Sequence, residues 1–260
     1  MPVTGENERQ HHIQLLRGEV GRYVFLPGDP GRCEPIARLF DEPRFVASNR
    51  EYTTWSGYLD GELVSVTSTG IGCPSAAIAM EELAKIGADT FVRVGTSGAM
   101  QPDIAPGTLG IVSGAIRDEG TSRHYLPIEF PAVADIDVTR ALTVAARRLG
   151  RPHRVGVSQS KDSFYGQHEP GRMPVAKQLQ DRWAAWMAGG AICSEMEAAA
   201  LYIVAATLGV RAGGIMMIAG HHDMAPMTAE EEKAIAIDNL LPTAVEGVRE
   251  LIARDREAAA

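Results

Sequence analysis

Several things are scarce or missing in this chain, and each absence narrows what it can be. Cysteine occurs three times, at Cys33, Cys73 and Cys193, an odd number with no C-x-x-C spacing. A disulfide framework is therefore not expected, and buried free thiols in a reducing compartment are. No apolar run comes near the roughly 20 residues that cross a bilayer, and no apolar stretch follows a basic start, so neither membrane insertion nor secretion is expected. Basic residues are outnumbered, 25 Lys and Arg against 33 Asp and Glu, for a net charge of −8. Nucleic-acid and membrane-surface partners call for a basic face, so both are disfavoured, although a local cluster of arginines is still allowed. Neither G-x-G-x-x-G nor G-x-x-x-x-G-K-[ST] occurs, which argues against a polyphosphate nucleotide site. There is no internal repeat and no low-complexity tract. A cytoplasmic setting is expected.

What is present points to an α/β fold. With 260 residues, 45% hydrophobic and 22% charged, the chain suits one globular domain. Residues 1–12 are polar and read as a flexible segment, and residues 13–260 read as the domain. The runs "RYVFLPGDP", "LVSVTSTGIG", "ADTFVRVGTSGAM", "GTLGIVSGAI", "PHRVGVSQS" and "RAGGIMMIAG" read as strands. Between them, "PGRCEPIARLF", "PSAAIAMEELAKIG", "IDVTRALTVAARRLG" and "EMEAAALYIVAATLG" carry apolar residues at helical spacing. A last helical stretch, "TAEEEKAIAIDNLLPTAVEGVRELIARD", is expected to break or kink at Pro242. Alternating strands and helices argue for a mainly parallel sheet.

Four of the strands leave through glycine turns: "PGDPGR", "STGIGCPS", "VGTSGA" and "IAGHHD". In α/β sheets the loops beyond the carboxyl ends of strands build the ligand site. Gly28 lets backbone amides approach an anion, and Arg32 can offer it a bidentate guanidinium. Arg93 sits inside an apolar strand run and needs a partner there, because an unpaired buried charge is expensive. Thr96 follows in the turn, and Arg50 is a third basic candidate. Taken singly, each has a plain alternative as an ordinary turn or a surface charge. Together they imply an anion about the size of inorganic phosphate. Glu195 and Glu197 stand at the mouth of an apolar run, where helix capping alone would explain them.

In order along the chain, "GDPGR", "NREYTTW", "STGIGCPSAAIAMEEL", "VRVGTSGAMQP", "EFPAVAD" and "SEMEAAAL" resemble the nucleoside phosphorylase-I family, most of all its uridine phosphorylase branch. The similarity runs from about Gly28 to about Gly214. It implies a single α/β domain with a central mixed, partly barrel-like sheet flanked by helices. It implies hexamers built as trimers of dimers, with active sites shared across each dimer. The implied reaction is reversible: nucleoside plus inorganic phosphate gives nucleobase plus ribose 1-phosphate, with no organic cofactor. By this resemblance Gly28, Arg32, Arg93 and Thr96 bind phosphate, and Arg50 reaches the neighbouring subunit's phosphate. Met196 and Glu197, with Glu195 beside them, hold the ribose. His12, with His11 competing, contacts the ribose across the dimer from the N-terminal segment. Glu51, Ile71 and Ser75 match positions that hold a monovalent cation, typically potassium, in some members. Such chemistry needs positioned phosphate, a gripped sugar and stabilisation of the departing base, not a covalent nucleophile.

At the base end the chain departs from the pattern. Phe164 can stack on a base, and Gln167 matches the glutamine that pairs with uracil. The arginine usual two residues later is replaced by Glu169, and Arg172 is the candidate substitute. In purine-selective relatives an Asp stands where Gly220 falls here, and Asp223 lies three residues further on. His221 and His222 occupy places where pyrimidine enzymes carry Asn and Arg. Uridine is the expected substrate, with a purine or broad-specificity phosphorylase as the alternative within the family. A nucleoside hydrolase would have no use for the arginines. A non-catalytic nucleoside-binding protein would be expected to have lost one of them, or the ribose glutamate.

Overall fold

Strand β1 (Tyr23–Pro27) is buried along its whole length, which is what an uninterrupted apolar run YVFLP requires: both faces must be covered. In the computed structural model, which describes residues 4–235 and 237–260, β1 is followed by the short helix α1 (Cys33–Ala37). Then come β2 (Asp41–Asn49), β3 (Tyr52–Leu59) and β4 (Glu62–Thr67). Helix α2 (Cys73–Lys85) starts with Pro74 in its first turn, where no amide donor is missed. It leads to β5 (Thr90–Ala99), β6 (Leu109–Asp118) and the two-residue β7 (Ala132–Val133). Asp135 caps α3 (Ile136–Arg148) by accepting from the amides of Asp137 and Val138. The chain continues through β8 (His153–Lys161), α4 (Phe164–His168), α5 (Ala176–Ala188), β9 (Cys193–Glu195), α6 (Ala198–Leu208) and β10 (Arg211–Ile218). Helices α7 (Ala229–Ala234) and α8 (Ile237–Ala259) close it.

The strands form one mixed sheet in the order β10-β6-β8-β9-β5-β1-β4-β3-β2, and β10 also pairs with β5. That extra pairing closes five strands, β5, β10, β6, β8 and β9, into a ring, while β1 to β4 extend from it as a flap. The core lies on both sides of the sheet. One cluster gathers residues of α2 and α6, including Met80, Leu83, Leu201 and Ile203. The other gathers residues of α1, α3 and α8, including Ile36, Leu142, Val245 and Leu251. Helix α6 is apolar all round and buried from Ala198 to Ala205, so it is a core helix and not an amphipathic one. Each fully buried Leu, Ile or Val in it contributes about 1.5–3 kcal/mol.

Two local outcomes differ from the sequence reading. The helix expected to begin at Glu195 begins at Ala198; Glu195 is the last residue of β9, in register with Ser160 of β8. Pro242 lies within α8 and does not end it, the helices being divided between Ala234 and Ile237 instead. Within the N-terminal segment, Gln10 is fully buried and donates to Gly5 O at 2.8 Å and Glu8 O at 3.0 Å. The amides of His12 and Ile13 both donate to Glu82 Oε2 of α2 at 2.9 Å. Residues 1–3 lie outside the described residues.

Candidate active site

The ends of β1, β5, β8, β9 and β10 surround a cavity of about 1400 Å³. At one end the loops after β1 and β4 meet. Gly28 O accepts from Gly70 N at 2.9 Å, and a Cβ on Gly28 would stand 3.0 Å from Gly70 O. Gly70 has φ +68°, and a side chain there would drive into Glu51. The two glycines bring these loops closer than other residues would allow. Arg32 and Thr96 line this end, and Arg93 lies beside them. Arg32 Nε is buried with no hydrogen-bond partner among the described residues. Burial lowers the Arg32 pKa, Asp29 partly offsets this, and Arg93 adds repulsion. Two guanidiniums that repel each other, one with an idle donor, make a site that an anion would relax.

Arg93 is held from behind. Its Nε donates to Glu195 Oε2 at 2.9 Å, and its terminal NH2 pairs with Glu197 Oε2. The partner that a buried strand arginine demands is thus two carboxylates. Burial opposes the Arg93 charge, but Glu197 and Glu195 outweigh it and raise its pKa. One arginine cannot compensate two carboxylates fully: burial raises the Glu197 pKa, Arg93 lowers it and Glu195 raises it again, with a net upward direction. Glu197 Oε1 also accepts from the Gly72 amide at 2.6 Å. Its acceptor capacity is not exhausted by these bonds, and it lines the cavity next to Met196.

Glu195 lines the cavity beside Met196 and Glu197. Its carboxylate has no accessible surface. It takes Arg93 Nε, the amides of Glu197 at 2.8 Å and Ala198 at 2.9 Å, and the Ser160 hydroxyl. With its lone pairs used inside the protein, it caps α6 and orients Arg93 at the wall of the cavity.

Phe164, Gln167, His221 and His222 also line the cavity. Phe164 is half exposed, with its ring 4.2 Å from that of His168. His221 Nε2 lies 3.1 Å from Glu231 Oε1. Arg172 is not brought in. It is exposed, its Nε is 2.5 Å from Glu169 Oε2, and its guanidinium lies 5.3 Å from the Tyr165 ring centroid. The residue replacing the usual arginine therefore holds the proposed substitute away. Asp223 is also exposed, and it accepts from the Ala225 amide at 3.1 Å.

His12 and Arg50 do not line the cavity of their own chain. They are neighbours: Asn49 Nδ2 donates to His12 O at 2.7 Å, and Arg50 follows at the β2–β3 turn with φ +54°. His12 Nδ1 is 2.6 Å from Glu82 Oε1, and the His11 ring stacks edge-on at 4.7 Å. Ser75 Oγ donates to Glu51 Oε1 at 2.8 Å, and the loop carrying the exposed Ile71 lines the cavity alongside. Carboxylate, hydroxyl and main-chain oxygen are donors that suit a hard cation.

Sequence reasoning passed over a second polar group. Lys161, Gln159 and Ser194 are buried and line the cavity. Lys161 Nζ donates to Ser194 Oγ at 2.8 Å, and Ser194 Oγ lies 2.7 Å from Gln167 Oε1. Trp183 and Trp186 of α5 close the far wall. No strand signal marked Lys161, since "SQSKDSF" reads as a polar loop.

A closed α/β sheet whose strand ends set two guanidiniums beside a buried carboxylate defines a protein that can hold an anion against a hydroxyl-bearing ligand. A family model described as phosphorylase superfamily matches residues 22–253. The chain is 48% identical to a uridine phosphorylase of Treponema pallidum (strain Nichols), over 98% of this chain and 99% of that one. It is 45% identical to a uridine phosphorylase of Thermococcus kodakarensis, over 90% and 89%. It is 38% identical to a guanosine phosphorylase of Halorubrum lacusprofundi, over 90% of each chain. The chain belongs to the phosphorylase superfamily.

Proposed function

We propose that this protein catalyses the reversible phosphorolysis of a pyrimidine nucleoside, uridine foremost, to nucleobase and ribose 1-phosphate. Inorganic phosphate is the co-substrate, and no organic cofactor takes part. The observation that carries this reading is the pair Arg32 and Arg93, one with an unpaired buried donor, facing the same cavity as Glu197. A phosphate held there attacks the anomeric carbon as the bond to the base breaks. Glu197 accepts hydrogen bonds from the ribose hydroxyls, Met196 packs beneath the sugar, and Gln167 and Phe164 take the base. The 48% and 45% identical uridine phosphorylases support the pyrimidine, and the guanosine phosphorylase keeps a purine as the second reading. The test is product analysis: uridine cleavage should require phosphate and yield ribose 1-phosphate. Equal rates without phosphate would refute it.

The assembly belongs to the same proposal. His12 is bonded to Asn49, next to Arg50, and both His12 and Arg50 lie outside their own cavity, as residues given to a neighbouring subunit would. A hexamer of three dimers, with a potassium ion held by Glu51, Ile71 and Ser75 between subunits, accommodates them. Its setting is cytoplasmic. Among the described residues no helix is long and apolar enough to cross a membrane.

A further inference from the structure

As phosphate oxygen bonds to C1′, the C1′–N1 bond breaks and its electron pair leaves on the pyrimidine ring, spread over N1 and the flanking carbonyls. Something at the base end must answer that charge. Arg172 is turned out toward Glu169 and Tyr165. Arg182 is paired with Asp118 and lies over the Trp186 ring, 4.9 Å from its centroid. His221 faces Glu231. Burial, and then Lys161, lower the His168 pKa and favour the neutral ring.

Lys161 is different. It ends β8 against the cavity and is 6% exposed. Its ammonium contacts the Ser194 hydroxyl at 2.8 Å and Glu195 O at 3.5 Å, and neither is a carboxylate oxygen. Ser194 Oγ lies 2.5 Å from Gln159 Oε1 and 2.7 Å from Gln167 Oε1. Gln159 is fixed in turn, its Nε2 donating to Asp118 Oδ2 at 2.7 Å. The chain of contacts runs from a buried ammonium, through a hydroxyl, to the amide expected to meet the base.

Resting on the phosphorolysis reading, we propose that Lys161 is the positioning residue that supplies the missing positive charge at the base end, reaching the departing pyrimidine through Ser194 and Gln167. It stays an ammonium throughout and transfers no proton. It orders the Gln167 amide and polarises it toward the base carbonyl, so its help is largest when the leaving charge is largest. Burial brings its pKa down to about 8, against the opposing pull of Glu195, Glu197, Cys193 and Asp118. The charged form is needed, so kcat/KM falls as pH rises through that value.

The experiment compares Lys161→Met and Ser194→Ala with the parent on uridine and 5-fluorouridine, whose base is the better leaving group. Expected for Lys161→Met is a fall of about 10²–10³-fold in kcat/KM on uridine. The fall on 5-fluorouridine should be at least about tenfold smaller, and the variant should lack the parent's decline above pH about 8, so that the ratio of parent to variant falls there. Ser194→Ala keeps the charge but cuts the relay, so it should show the same substrate contrast if Lys161→Met does not fold. Equal losses on both substrates, or an unchanged pH profile, would overturn the role of Lys161 alone. A parent that does not cleave uridine with phosphate would overturn the phosphorylase reading and this proposal with it.

Discussion

Glu195→Ala separates the two glutamates by what each one holds. The Glu195 carboxylate is fully buried and accepts Arg93 Nε at 2.9 Å, two α6 amides at 2.8 and 2.9 Å, and the Ser160 hydroxyl. Removing it leaves a buried guanidinium short of one partner and two helix-start amides unbonded. Breaking a buried pair from one side costs about 3–5 kcal/mol. In a chain of this size each kcal/mol moves Tm by about 2–4 °C, so the variant should melt about 6–20 °C below the parent. Calorimetry in phosphate-free buffer measures this without assuming the reaction. Glu197→Gln is the contrast. It keeps the side-chain volume and an acceptor for Arg93, so it should melt near the parent. Its kcat/KM on uridine should drop about 100-fold, or roughly 3 kcal/mol of charge-assisted bonding to the sugar, and less on 2′-deoxyuridine. The reasoning fails if Glu195→Ala melts within about 2 °C of the parent while Glu197→Gln unfolds.

Two further outcomes are expected. Inorganic phosphate should stabilise the parent by about 2.7 kcal/mol at 100 times its Kd; in Arg32→Met most of that shift should vanish in thermal melts matched for ionic strength, and an undiminished shift would place the anion elsewhere. Arg172→Ala should leave kcat/KM on uridine within about twofold, since an exposed ion pair contributes roughly 0–1 kcal/mol. A loss beyond tenfold would return Arg172 to the base.

Legibility followed burial. The β1 run, α3 and the apolar α6 were readable because each carries a periodic or continuous apolar signal. The β2–β3 hairpin was not, because β2 is exposed along its first five residues and offers no clean alternation. Helix α5 escaped for the same reason: none of its residues is fully buried, and its tryptophans face the cavity rather than the core. Arg93 was legible as a charge inside a strand that must find a partner. The division of work between Glu195 and Glu197 was not, since it depends on where β9 stops. Lys161 lay hidden because "SQSKDSF" reads as a polar loop, and only the pairing of β8 with β9 reveals that it points inward beside Ser194.

The closed ring of β5, β10, β6, β8 and β9 divides the site mechanically. Arg93, Glu195 and, one residue beyond β9, Met196 are mounted on strands that brace each other all the way round, so none can shift without stretching a neighbour's ladder. Phe164 and Gln167 sit on a five-residue helix at the rim, and His221 and His222 on a turn beyond β10, outside that hoop. Under the proposed phosphorolysis, the braced ring carries Arg93 and the sugar contacts, and the elements outside it carry the base contacts. A change of base could then be accommodated by editing the rim alone, leaving the ladder of the ring untouched.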